Sequence, residues 1–126
     1  MLVIISSSDF HIYNFNGDAN IANNGGNLNE QQHLLAIDQC TDFTVDRVNG
    51  VNVAGDVMYL IDVTRGQFGT VSGVSTDTGR NTVSIIKANT LQFDKIISKG
   101  VGTDLMPGGV DLEPNLVTDD IKNIQF

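Results

Sequence analysis

Gly55-Asp-Val-Met-Tyr-Leu-Ile-Asp-Val63, continued by Thr64-Arg-Gly-Gln67 and the run Phe68 to Val74, is the stretch whose reading decides the fold. Val57, Tyr59, Ile61 and Val63 alternate onto one face while Met58 and Leu60 fill the other, the pattern of a strand covered on both sides. In the run Phe68 to Val74 the other face carries Gly69, Val71 and Gly73, and glycines there indicate a bend or a close neighbour. Thr76-Asp-Thr-Gly-Arg80 reads as a turn leading into Asn81 to Lys87, where β-branched residues dominate again. The three runs predict a three-stranded antiparallel meander. The expected fold is mainly β, a single-domain antiparallel sandwich or small barrel built around that meander.

Working outward, Leu2 to Ile5 reads as a first strand and Phe10 to Phe15 as its partner, linked by Ser6 to Asp9. Asn29 and Gln32 have capping-box spacing, but the apolar run after them is short, so an extended segment into Cys40 to Val45 is preferred, with Phe43 and Val45 inward. Asn49-Gly50, flanked by Val48 and Val51, has the composition of a two-residue hairpin turn. Leu91, Ile96 and Ile97, with Lys95 and Lys99 ahead of Gly100, predict one short helix near residues 93–99. Leu116 to Phe126 closes the chain as a strand. No repeat recurs at a fixed period, which excludes a solenoid or a propeller on this reading.

Residues 16–29 and 100–114 differ from the rest. Asn16-Gly17, Asn24-Gly25-Gly26, Pro107-Gly108-Gly109 and Pro114 interrupt any regular pattern, and both segments read as extended loops or arms on one β-rich domain spanning 1–126.

The chain has 126 residues and a formal charge of −8, and its first basic side chain is Arg47, after Asp9, Asp18, Glu30, Asp38, Asp42 and Asp46. Such an acidic surface repels phosphate, so no nucleic-acid partner is expected. Met1 to Ile5 is apolar but short and lacks a basic leader, and no apolar run approaches about 18 residues, so neither a signal peptide nor a membrane span is expected. Synthesis and folding in the cytosol follow from that reading. The single Cys40 reads as a small buried apolar residue, having no second cysteine to pair with.

Asp77-Thr-Gly79 is the tripeptide of aspartic protease active sites, where two facing carboxylates share a proton. Here Ser75-Thr76 and Arg80-Asn81 replace the apolar flanks, and the turn reading is preferred. A protease using Asp77 is the remote alternative. Asn14, Asn16, Asp18 and Asn20 alternate as calcium ligands do, but no Glu stands at the twelfth position, and a solvated loop is the simpler reading. Asp104, Asp111, Glu113, Asp119 and Asp120 read as solvating charge. His11 and His33 stand alone, Ser6 to Ser8 lack a nucleophile elbow, and the absence of Trp weakens a stacking surface for sugars or single strands. No enzyme, cofactor or metal is expected.

His33-Leu-Leu-Ala-Ile-Asp-Gln-Cys-Thr-Asp-Phe-Thr-Val45, Gly55 to Ile61, Thr82-Val-Ser-Ile-Ile86, Phe93 to Lys99 and Asp120-Ile-Lys-Asn-Ile124 together resemble the small β-rich virion proteins of tailed bacteriophages, of the capsid decoration or cement type. The resemblance implies a non-enzymatic virion protein that stabilises a shell by bridging neighbouring subunits. Its expected partner is the major capsid protein or another virion protein, with a homo-oligomer around a symmetry axis. The arms would carry the contacts, through Asn16, Asp18, Asn20, Asn24, Asn27, Met106, Pro107 and Val110. The alternative is a β-rich binding module such as a phage tail component or adhesin.

Overall fold

In the computed structural model, which describes residues 1–20, 31–74, 80–100 and 108–126, all regular structure is strand. The strands are β1 (Leu2–Ile5), β2 (Ser8–Asp18), β3 (Leu35–Asp38), β4 (Thr41–Val51), β5 (Met58–Ile61), β6 (Val63–Val74), β7 (Val83–Ile85), β8 (Ala88–Lys99), β9 (Val110–Leu112) and β10 (Ile121–Gln125). The odd strands form one five-stranded sheet in the order β1-β3-β5-β7-β9, and the even strands form another in the order β10-β8-β6-β4-β2. All pairings are parallel, each between a strand and its equivalent one coil on. The chain is therefore a β-solenoid of five coils, in which a bend of one or two residues joins the short odd strand to the even strand in the first four and residues 113–120 join them in the fifth.

This overturns the antiparallel meander, sandwich or barrel that the sequence predicts. Met58–Ile61 and Val63–Val74 are consecutive but lie in different sheets, separated by a bend at Asp62 with φ 49°. Residues 64–67, read as the link between the first two runs of the meander, lie inside β6. Asn49-Gly50 is likewise no turn, since Asn49 pairs with Ser72 and Gly50 with Gly73 in the ladder. Alternation of apolar and polar residues reports only which side chains face inward. It is the same for a hairpin and for a coil whose partner lies a whole circuit away. The solenoid itself escapes a search for repeats because its coils are unequal, with equivalent positions at Leu2, Leu35, Met58, Val83 and Val110.

The helix expected near residues 93–99 is also absent, and Phe93 to Lys99 belongs to β8. A corner explains the error. In each of the three middle even strands two consecutive residues point outward between inward ones: Asp46 and Arg47 between Val45 and Val48, Gly69 and Thr70 between Phe68 and Val71, Asp94 and Lys95 between Phe93 and Ile96. That extra outward residue turns a step of two into a step of three, which mimics helical spacing. The strand expectations over Leu2–Ile5, Phe10–Phe15, Cys40–Val45 and the C-terminal segment do correspond to β1, β2, β4 and β10, but β1 and β2, expected to pair, lie in different sheets and pair with β3 and β4.

Inward residues stack in columns along the solenoid. One column holds Phe10, Phe43, Gly66, Leu91 and Ile124, and the next holds Ile12, Val45, Phe68 and Phe93. Phe68 and Phe93 stack at 4.4 Å between centroids, Phe10 and Phe43 at 5.1 Å, and Phe93 and Phe126 at 5.4 Å. Offset aromatic pairs of this kind add about 0.5–1.5 kcal/mol each beyond their burial. Leu35, Ile37, Met58, Leu60, Val83 and Ile85 of the odd sheet are wholly buried against these columns. Cys40 is buried as expected, its Sγ 3.2 Å from the carbonyl of Asp38.

The bends are made without glycine. Ser6, Gln39 and Asp62 form one stack of left-handed residues, and Asp9, Asp42, Arg65, Thr90 and Asn123 form another, with φ between 49° and 62°. The ladder stays intact through the first stack, because Ser6 N–H donates to Asp38 and Gln39 N–H to Ile61 at 3.0 and 2.9 Å. Asp and Asn tolerate this conformation better than other non-glycine residues, so the sequence signal of the bends is polar, not glycine-rich.

Candidate functional site on the outer face of the even sheet

Outward residues of β2, β4, β6 and β8 also stack, because successive coils sit about 4.8 Å apart. Across the corner the columns run His11, Thr44, Gln67, Gln92; then Tyr13, Asp46, Gly69, Asp94; then Asn14, Arg47, Thr70, Lys95; then Asn16, Asn49, Ser72, Ile97. Gly69 and Thr70 are short between longer neighbours, which leaves a depression on each side of the corner. One, of about 330 Å³, is lined by Thr44, Asp46, Gln67, Gly69, Gln92 and Asp94. The other, of about 410 Å³, is lined by Asn16, Arg47, Asn49, Thr70, Ser72 and Lys95, with Ile97 at its edge. Gly69 is required here, since a β carbon would lie 2.3 Å from the Asp46 carbonyl oxygen, and backbone cannot rotate away.

Charge is distributed unevenly over this surface. Of the seven Lys and Arg residues, Arg65 pairs with Asp42, Arg80 with Glu113, Lys87 with Asp62 and Lys122 with Asp120. The Arg65–Asp42 pair is a two-pronged fork, with Nε 2.6 Å from Oδ1 and Nη2 2.5 Å from Oδ2. The Arg65 hydrogen bond holds the Asp42 carboxyl below the ordinary carboxylate range, and Asp42 in turn raises the Arg65 guanidinium. Arg47 and Lys95 form no ion pair among the described residues, although each directly follows an aspartate. Asp46 is instead held by His11, whose Nε2 lies 2.8 Å from Oδ1, and the His11 ring stacks on the exposed Tyr13 at 4.1 Å.

A second polar group lies just ahead of the odd strands and is buried. The Asp56 backbone N–H donates to His33 Nδ1 at 3.1 Å, and Asn81 N–H donates to Asp56 Oδ1 at 3.0 Å. Asn81 Nδ2 reaches Ser84 Oγ at 3.3 Å and Asp111 Oδ2 at 3.4 Å, while the His33 ring stacks on Tyr59 at 4.1 Å. These contacts tie successive coils together at their entry points. Burial of His33, Asp56, Asn81 and Ser84 suits them to holding the connections in place.

The residues expected to contact partners fall in different places. Asn16 lines the larger depression, and Val110 is an exposed residue of β9 at the edge of the odd sheet. Asp18 ends β2, where its Oδ1 accepts from the Asn20 N–H at 2.8 Å and from Asn52 Nδ2 at 3.3 Å. Asn24, Asn27, Met106 and Pro107 lie outside the described residues, as does Asp77 with its turn. Asn14, Asn16 and Asp18 are strand residues, and no group of three or more His, Cys, Asp or Glu that could hold a metal occurs among the described residues. Sequence reasoning missed the juxtaposition of Arg47 with Lys95, because only the coil register brings them to one face. The signal was there in the repeated acid-then-base pairs Asp46-Arg47 and Asp94-Lys95.

Comparison with family models, with curated proteins and with solved structures gives no match.

Proposed function

We propose that this chain is a non-enzymatic structural module of a virion, of the tail-component or adhesin kind, that works by stacking its end coils on those of a second copy. The observation that carries this reading is the state of the two ends. A solenoid coil that faces water carries a polar outer face. Here Leu2, Val3 and Ile5 are exposed on β1, and Val110, Leu112 and Phe126 are exposed at the other end. Both ends also present edge strands whose outer hydrogen-bonding groups face no further strand among the described residues.

Stacking in parallel register continues the columns of the fold. Val110 and Leu112 of one copy meet Leu2 and Ile4 of the next, and Ile124 and Phe126 meet Phe10 and Ile12. Such a head-to-tail contact is heterologous and propagates along an axis, which suits a fibre or tail component. The capsid decoration reading ranks second. It needs free arms, and Asn16–Asp18 and Val110–Leu112 are part of the ladders instead.

Light scattering on a sizing column tests the contact. Mass should rise with concentration, and Ile4→Lys and Leu112→Lys should each return it to that of one chain without loss of the β circular dichroism signal. A wild-type protein that stays monomeric at every concentration would end the stacking reading, and failure to find the chain by mass spectrometry in purified particles would end the virion assignment.

A further inference from the structure

The geometry points to the depression between Arg47 and Lys95 as a binding site for a linear acidic polysaccharide, one that carries a carboxylate on alternate sugars. The inference is independent of how the ends assemble. It starts from the charges: in a chain with fifteen acids and seven bases, four bases each pair with an acid. Among the described residues Arg47, Lys95 and Lys99 do not, and Arg47 and Lys95 stand unpaired although acids outnumber bases twofold and Asp46 and Asp94 are their immediate neighbours. Both instead flank a depression of about 410 Å³ whose other walls are uncharged.

The spacing selects the ligand. Arg47 and Lys95 are two coils apart with Thr70 between them, which puts their backbones about 9.5 Å from each other. Projecting side by side at that spacing, the two cations match two carboxylates separated by a neutral sugar. The amides of Asn16 and Asn49 and the hydroxyls of Thr70 and Ser72 both donate and accept, as sugar hydroxyls require, and Ile97 offers an apolar edge to a C–H face. A nucleic acid fits poorly, because its phosphates recur about every 3.4 Å along a strand and would run beside Asp46 and Asp94. The columns run along the solenoid axis, so an extended chain lies along them without bending.

Calorimetric titration of the full chain with size-defined oligosaccharides of hyaluronate, unsulfated chondroitin and heparosan, each with a uronate on alternate sugars, tests this, with dextran of equal length and polyglutamate as controls. At least one acidic oligosaccharide should bind and weaken as salt is raised, while dextran does not. Arg47→Gln and Lys95→Gln should each lower affinity about tenfold, the effect of losing one charge-assisted contact. Asp94→Asn, on the other side of the corner, should leave affinity unchanged or raise it. The thermal midpoint and the sizing profile of all three variants should match the wild type, which separates this site from the end contacts. Binding of none of the three acidic glycans, equal binding of polyglutamate, or full affinity in the Arg47→Gln/Lys95→Gln double variant would overturn the assignment.

Discussion

Phe43 fills the space above Gly66 one coil on, so that a β carbon at Gly66 would lie 2.6 Å from the ring Cζ and 3.1 Å from Leu91 Cδ2. The two residues share one column and divide its volume unequally. Gly66→Ala should therefore destabilise the protein by about 1–3 kcal/mol, the usual cost of overpacking a filled interior. Urea denaturation measures it. Adding Phe43→Leu to Gly66→Ala should restore part of the loss, because the pair is coupled through one shared volume. Strict additivity of the two changes would show that the ring is not what excludes the side chain.

Acidification should weaken the fold through Asp42. Its carboxyl is held below the ordinary range by the Arg65 fork, so the folded state binds this proton less readily than the unfolded state does. The stabilisation is complete above the ordinary aspartate value of about 3.9 and is lost as pH falls through the lower folded value. Asp42→Asn keeps a residue suited to φ 54° while removing the charge. Its thermal midpoint should fall less steeply with acid than that of the wild type, and parallel curves would argue against the fork as the cause.

Asp56 is completely buried and its Oδ1 accepts the Asn81 backbone N–H. Asp56→Ala leaves that donor without a partner in the interior, at a cost of about 1–3 kcal/mol. Asp56→Asn retains an oxygen at the same place and should lose clearly less. Chemical denaturation of both variants beside Asp56→Leu, which fills the space without an acceptor, distinguishes a hydrogen-bonding role from simple space filling, for which Asp56→Leu would lose no more than Asp56→Asn.

Thr90 is β-branched and holds φ 62°, a conformation that such residues rarely adopt. Its neighbours in the same stack are Asp9, Asp42, Arg65 and Asn123, so the column already accepts polar unbranched side chains. Thr90→Asn should raise stability, by up to about 1 kcal/mol, since the left-handed penalty is smaller for Asn. A fall in the thermal midpoint would mean that the Thr90 hydroxyl, 3.1 Å from Asn89 Oδ1, matters more than the strain.

Much of the local structure is legible in the chain. The β-branched runs mark strands at Leu2–Ile5, Thr41–Val51 and Ile121–Gln125, and the alternation around Phe43 and Val45 places both in the core. What misleads is the corner, where Asp94 and Lys95 both face outward and set Phe93 and Ile96 three residues apart, as a helix would. The bends mislead too, since Gln39 and Asp62 turn the chain where no glycine or proline announces it.

The sequence by itself determined that this protein is built of strands, which side chains enter the core, and that its surface is acidic. Only the tertiary structure decided that those strands pair in parallel, coil upon coil, and that Arg47 therefore comes to stand with Lys95 over a common depression. The reason is physical: in-and-out alternation is a property of one strand, whereas a partner is chosen by where connections of unequal length return the chain. The residues that define the outer face come from separate circuits and meet only once the register is set.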